Sequence, residues 1–209
     1  MAGPTLTLAD AQAIVEEGGP AIASVASARS IRAKVVAGDK SWVPAYIRGV
    51  TERFLETHDW KLSSGRLWSK KEEAENTPVC VIGSSVAKEL FGAESPVGKS
   101  ILINELSLKV VGTLMRRMPT NAVGLDQDDI VLAPFGIIKE RFKKDGAKSS
   151  PTNGRNVGSV YVRVKDERQI PVTIQKVASI LRKRHGIEPG QADDFEIRHL
   201  GEVAKIPSP

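Results

Sequence analysis

The chain has 209 residues, with 30 Lys and Arg against 25 Asp and Glu, a formal charge of +5 and 41% hydrophobic residues. That length holds one large domain or two small ones, and a mixed-sign charged fraction of 26% excludes a disordered tail. The basic runs Arg116–Arg117, Lys139–Lys144 and Arg182–Arg184 are short and scattered, unlike the clustered face that nucleic acid requires, and no stretch approaches the roughly 18 apolar residues of a membrane span.

Thr7 opens a helix that runs to about Glu17, with Asp10 in capping-box position and Gly18-Gly19-Pro20 as its stop. Ile22 to Val36 is expected to be extended, because Val25, Ile31, Val35 and Val36 are β-branched. Gly38-Asp39 is a turn, and Val43 to Val50 is a further strand with Pro44 near its start, where a missing donor does least harm. Thr51 is expected to cap a short helix over Glu52 to Glu56 that buries Phe54 and Leu55; Trp60 to Trp68 is expected to be irregular.

The middle section changes texture. Val79 to Gly83 is a short apolar strand, and Ser84 or Ser85 caps a helix that ends at Gly92. Ser100 to Ile103 and Leu108 to Leu114 form a hairpin around Asn104-Glu105. Residues 115–129 read as a polar loop, Ile130 to Leu132 as a strand, Phe135 to Phe142 as a helix, and Ala147 to Asn156 as a linker.

The last section alternates Val160, Val162 and Val164 with polar neighbours. A helix with Pro171 in its first turn follows, and Gly186 stands as its C′ residue. Its buried side carries Thr173, Val177, Ile180, Leu181 and Arg184; Phe195 and Ile197 then alternate as a closing strand. The crossover of about thirty residues suits a right-handed parallel pair. The N-terminal helix and its following strand match the last two-thirds of a similar unit, whose opening strand would precede Thr5. The opening Met1-Ala2-Gly3-Pro4 reads equally as a native start or as residues added ahead of a domain. The expected class is α+β: a β-α-β, ferredoxin-like lobe built from both chain ends, with a β-rich insertion.

No motif carries catalysis. In Gly92-Ala93-Glu94-Ser95-Pro96-Val97-Gly98-Lys99-Ser100 the phosphate-loop spacing is one residue too long. The run also joins a helix to a strand, the reverse of the order that places a helix N-terminus against phosphates. Asp126, Asp128 and Asp129 could hold a hard cation, but the calcium-loop pattern is missing, and a loop that caps the next element is the expected reading. His58, His185 and His199 show no metal spacing, and no Gly-x-Ser-x-Gly elbow supports a hydrolase. Cys80, the sole cysteine, lies in an apolar strand and is expected to be buried and inert. Trp60 and Trp68 are expected to seal a joint between two lobes. No cofactor is implied.

Several pieces taken in order form a recognisable pattern: Leu6-Thr7-Leu8-Ala9-Asp10-Ala11, Gly49-Val50-Thr51, Trp60-Lys61-Leu62-Ser63-Ser64-Gly65-Arg66, and Val81-Ile82-Gly83-Ser84-Ser85-Val86-Ala87-Lys88-Glu89-Leu90-Phe91-Gly92. Pro96-Val97-Gly98-Lys99, Val110-Val111-Gly112-Thr113-Leu114, and Asp126-Gln127-Asp128-Asp129 with Ile130 to Pro134 continue it; Val160 to Val164, Arg182 to His185 and Asp193-Asp194-Phe195 close it. The chain resembles the periplasmic core domain of MacB-type ABC transporter permeases, in the FtsX-like permease group.

The resemblance implies a domain on the periplasmic side of the bacterial inner membrane, with a porter-like lobe (1–59 and 153–209) and an inserted Sabre-type lobe (60–152). It implies a homodimeric permease, an ATPase domain or subunit, and a periplasmic adaptor, with no nucleic acid and no membrane insertion by this stretch itself. Asp126, Gln127, Asp128 and Asp129, with the 115–125 loop, are the expected partner contact, as a long polar loop with no packing role. An FtsX- or LolC-like permease with a non-efflux role, a soluble ligand module or enzyme with a site between the lobes, and a freestanding adaptor or scaffold remain alternatives.

Overall fold

The computed structural model describes residues 6–117, 126–142 and 157–199. Helix α1 (Leu8–Glu17) starts where the capping box predicts: Thr7 Oγ1 accepts from the Asp10 amide at 3.2 Å, and Asp10 Oδ2 accepts from the Thr7 amide at 2.8 Å. The next extended run divides into β1 (Ile22–Ile31) and β2 (Val35–Ala37). Gly38, at φ 60°, turns β2 into β3 (Lys40–Trp42), and β4 (Tyr46–Val50) follows. The single strand expected over 22–36 therefore becomes two strands with different partners. Thr51 does not cap the following helix with its side chain. That helix, α2 (Phe54–Thr57), begins after Arg53, while Thr51 Oγ1 accepts from the Ser27 amide at 3.0 Å.

Residues 60–68 contain a strand, β5 (Leu62–Gly65), that hydrogen bonding to another strand creates. Helix α3 (Lys70–Ala74) starts at a reciprocal Ser69–Glu72 cap, a Ser-x-x-Glu signal that the sequence carries plainly. Then come β6 (Val79–Ile82), α4 (Ser84–Phe91), β7 (Ser100–Ile103) and β8 (Leu106–Leu114). Asn104 takes φ 53° in the β7–β8 turn, as that hairpin requires. β9 (Ile130–Pro134) runs directly into α5 (Phe135–Arg141). β10 (Ser159–Val164) leads through a 3₁₀ turn to α6 (Ile170–His185), which Gly186 ends in the left-handed conformation at φ 65°. The expected 147–156 linker lies outside the described residues, as does most of the 115–125 loop.

Among the described residues the strands form one mixed sheet in the order β10-β1-β4-β9-β6-β8-β7-β2-β3, with β5 beside β8. β4–β9 and β6–β8 are parallel; the other pairs are antiparallel. This sheet settles the class as a mixed α/β fold. The strand expected at Phe195 and Ile197 does not form within the described residues, which run as irregular chain after α6. Their alternation reflects one covered side, since both pack against the cluster of Ile14, Val25, Val177 and Leu181. The crossover therefore ends without its parallel partner.

Among the described residues the buried side chains form three clusters, two of them divided by strand alternation. Val131 and Ala133 of β9 join Ile82, Ile103 and Leu108 under α4 and α5; Ile130 and Leu132 face the opposite cluster with Phe54, Trp60 and Trp68. The third lies between α1, α6 and β1. Val35 and Ala37 of β2 pack in the first core, where Ile31 at the end of β1 also packs. Gly49 lets α5 pack close to β4, because a Cβ there would lie 2.6 Å from Ile138 Cβ.

Candidate functional site

The turn from Asp126 to Asp129 is where four segments meet, and its side chains divide into two kinds. Asp128 and Asp129 are buried, whereas Asp126 is exposed and Gln127 half-buried. Asp129 points back across the sheet to the β3–β4 connection, where its carboxylate accepts from the Trp42 indole at 2.7 Å and the Ala45 amide at 2.8 Å. Asp128 accepts from the Ser84 hydroxyl at 3.1 Å and from the Arg117 amide at 3.0 Å. It thereby ties the start of α4 to the segment leaving β8. Asp126 accepts from the Ser85 hydroxyl and, at 2.9 Å, from the Asp128 amide.

The two serines expected to cap α4 thus spend their hydroxyls on these carboxylates. The N-cap position is Gly83, which makes no side-chain cap. Gly83 is required by proximity: its amide donates to the Ile130 carbonyl at 2.8 Å, and a Cβ would lie 2.0 Å from the Asp128 carbonyl oxygen. Two carboxylates filled by N–H and O–H donors are structural acceptors, and no group of three metal-ligating side chains occurs among the described residues.

A second joint lies between α2, β10 and the end of β8. The Phe54 and His58 rings stack at 4.0 Å, and Tyr161 meets His58 edge-on at 4.5 Å. The His58 Nδ1–H donates to the Phe54 carbonyl at 2.9 Å. Burial, aided by the charges of Arg117 and Arg48, lowers the His58 pKa to about 4, so the ring is neutral at physiological pH. Arg117 lies over the Trp60 ring at 4.3 Å and donates to the His58 carbonyl, while the Trp60 indole donates to the Met115 carbonyl at 2.8 Å. Trp60 and Trp68 are both buried in one core, with Phe54 and Leu132. Sequence reasoning missed this Arg–aromatic contact, because its members come from distant segments.

The remaining candidates resolve simply. Cys80 is fully buried, and burial pushes its thiol pKa up, away from nucleophilic use. Lys99 pairs with Glu94 beside the Phe91 ring, so the former phosphate-loop candidate is a surface turn. His199 lies in the irregular chain after α6, and His185 sits at the end of α6 between two carboxylates. The geometry offers joints between segments, and among the described residues no nucleophile, base and acceptor are brought together.

Comparison with known proteins agrees. Residues 1–180 match the family model described as MacB-like periplasmic core domain. A macrolide export ATP-binding/permease protein MacB of Syntrophobacter fumaroxidans is 30% identical over 96% of this chain and 34% of its own length. The protein of that name from Rhodospirillum rubrum is 31% identical over 97% of this chain and 29% of its own. The chain thus spans about a third of the length of such relatives. Among solved structures, the periplasmic region of MacB from Actinobacillus actinomycetemcomitans superposes with a TM-score of 0.70 at 23% identity, covering 88% of this chain and 76% of that one. The extracellular domain of the noncanonic ABC-type transporter YknZ from Gram-positive bacteria gives 0.68 at 18% identity, covering 88% and 86%. These two likenesses establish the fold.

Proposed function

The chain belongs to the MacB-like periplasmic core domain family of ABC-transporter permeases, and on that premise we propose that it transmits ATP-driven motion through the periplasm during export. In this reading the whole transporter holds two copies of the domain, an ATPase domain or subunit, and a periplasmic adaptor docked on the far lobe. The chain itself performs no catalysis.

The observation that carries the reading is the shared footing of the two described ends. Leu6 and Ile197 pack on the same cluster, so motion delivered through both ends enters one lobe. From there a continuous hydrogen-bonded sheet leads to the β2–β3 hairpin. A displacement is then carried by backbone ladders rather than by a soft linker.

Residues 1–59 and 153–209 are the porter-like lobe in this proposal, and 60–152 the Sabre-type insertion. The β2–β3 hairpin leaves the first stretch to pair with β7 and so braces the two. Partner contact falls to Asp126 and Gln127, the solvent-facing members of the turn, because Asp128 and Asp129 are turned inward. A covalent cross-link between the two copies in the assembled transporter tests the reading. Export should stop while ATP binding persists; normal export by the cross-linked dimer would defeat it.

A further inference from the structure

After Gly186 the chain doubles back, with the Ile187 amide donating to the Arg182 carbonyl at 2.9 Å. Residues 187–199 form neither helix nor strand, yet Phe195 and Ile197 cover the cluster between α1, α6 and β1. A segment without a backbone ladder must be held by side chains. Arg182 reaches the carbonyl of Glu188 at 2.7 Å and of Gln191 at 3.2 Å, and pairs with the Asp193 carboxylate. His185 makes the central link: its Nδ1 lies 2.7 Å from Asp194 Oδ1 on the strap, and its Nε2 lies 3.3 Å from Asp10 Oδ2 on α1. The Phe195 ring meets the imidazole edge-on at 5.9 Å.

Both ring nitrogens thus face carboxylate oxygens. A neutral imidazole has one N–H and would turn a lone pair toward one of them; only the imidazolium donates to both. We propose that His185 is a pH-sensitive clasp, which in its charged form holds the strap 187–199 against α1 and α6 and releases it as pH rises.

The other charges around the ring fit that role. From α1 come Asp10 and, further along, Glu17, which pairs with Lys183 at 3.9 Å. From α6 come Arg182, Lys183 and Arg184. From the strap come Asp193 and Asp194, with Glu196 paired to Arg198 at its surface. The nearest cations are already engaged, Arg182 by Asp193 and Arg184 by Asp10 at 2.6 Å. Asp10 also accepts from the Thr7 amide, so it stays anchored without His185. Loss of the proton leaves one N–H for two carboxylates, so His185 no longer donates to α1 and to the strap together. Burial of the ring opposes protonation, but hydrogen bonds and charge from Asp194 and Asp10 outweigh it and raise the pKa. A raised folded pKa means the link is complete below 6.5 and is lost as pH climbs through the folded value. The clasp stands on this chain's own geometry and holds whatever the domain transmits.

NMR titration of the whole chain from pH 5 to 9 tests it, following the His185 Hε1 and Phe195 ring resonances. The expected result is a His185 midpoint above 6.5, with Phe195 moving toward unpacked shifts at that midpoint. The undocked population should rise about tenfold for each unit by which the midpoint with the strap docked exceeds the midpoint with it undocked. In H185Q the Phe195 signals should lose this pH dependence. In D194N, which leaves Asp10 and Arg184 untouched, the midpoint and the Phe195 transition should fall together. A His185 midpoint at or below 6.5, or Phe195 shifts that ignore the His185 titration, would overturn the proposal.

Discussion

Asp129 and Trp42 are 87 positions apart in sequence, and the indole of one donates to the carboxylate of the other at 2.7 Å. The same carboxylate takes the Ala45 amide, so one buried acid pins the β3–β4 connection to the start of β9. Removing it takes the acceptor from both donors, on half-buried Trp42 and on the Ala45 backbone. D129A should cost about 2–4 kcal/mol in urea unfolding. W42F, which leaves the Ala45 bond in place, should cost about half as much. Equal stability of D129A and the parent would refute this clip.

Gly83 gives a steric prediction. Its φ of −75° suits any residue, so the effect of G83A isolates the contact with the Asp128 carbonyl. Overpacking of this kind should cost about 2–3 kcal/mol. G98A makes the contrast: φ there is 91° with nothing within 4 Å of the added methyl, and the loss should be about 1 kcal/mol, from backbone strain alone. Both are read from thermal or urea midpoints.

His58 predicts an acid sensitivity. Its folded pKa of about 4 lies below the ordinary 6.5, so between those values the unfolded chain binds the proton and the folded chain does not. Stability therefore falls as pH drops from 6.5 toward 4, by about 3 kcal/mol at most, and this contribution levels off below that. H58F keeps the stacked ring without the titration, and its stability should vary less across this window. An unchanged slope in H58F would assign the acid loss elsewhere.

The Asp126–Asp129 turn separates contact from structure. Q127A should leave stability within about 1 kcal/mol, and D126K, which gives up the Ser85 and Asp128-amide bonds at an exposed position, within about 2 kcal/mol. In the full transporter they should weaken adaptor binding and export. D128N should instead destabilise the domain, since its carboxylate joins Ser84 to the Arg117 backbone. If D126K and Q127A leave adaptor affinity intact, the docking surface lies elsewhere.

Much of the local structure was legible in the chain. The Thr7–Asp10 capping box, the Asn104 turn, Pro171 in the first turn of α6 and Gly186 beyond its end stand where the sequence puts them. Each signal involves groups within one or two helical turns, so its energetics are complete in a short window. The burial of Cys80 was equally readable from its apolar neighbours. That 126–129 lie in a loop ahead of β9 was legible, but that Asp128 and Asp129 face inward was not, since that depends on donors arriving from Trp42, Ser84 and Arg117.

By itself, then, the sequence determined the start of α1 and the end of α6, which faces are apolar, and, through the order of its motifs, the family. The tertiary structure alone decided the pairings. It sent β2 to β7 instead of leaving it with β1, placed β4 beside β9 in parallel, and kept Phe195 and Ile197 out of a strand. The reason is that strand alternation specifies a covered face but not a neighbour. A ladder partner is selected only when distant backbones and their side chains close together.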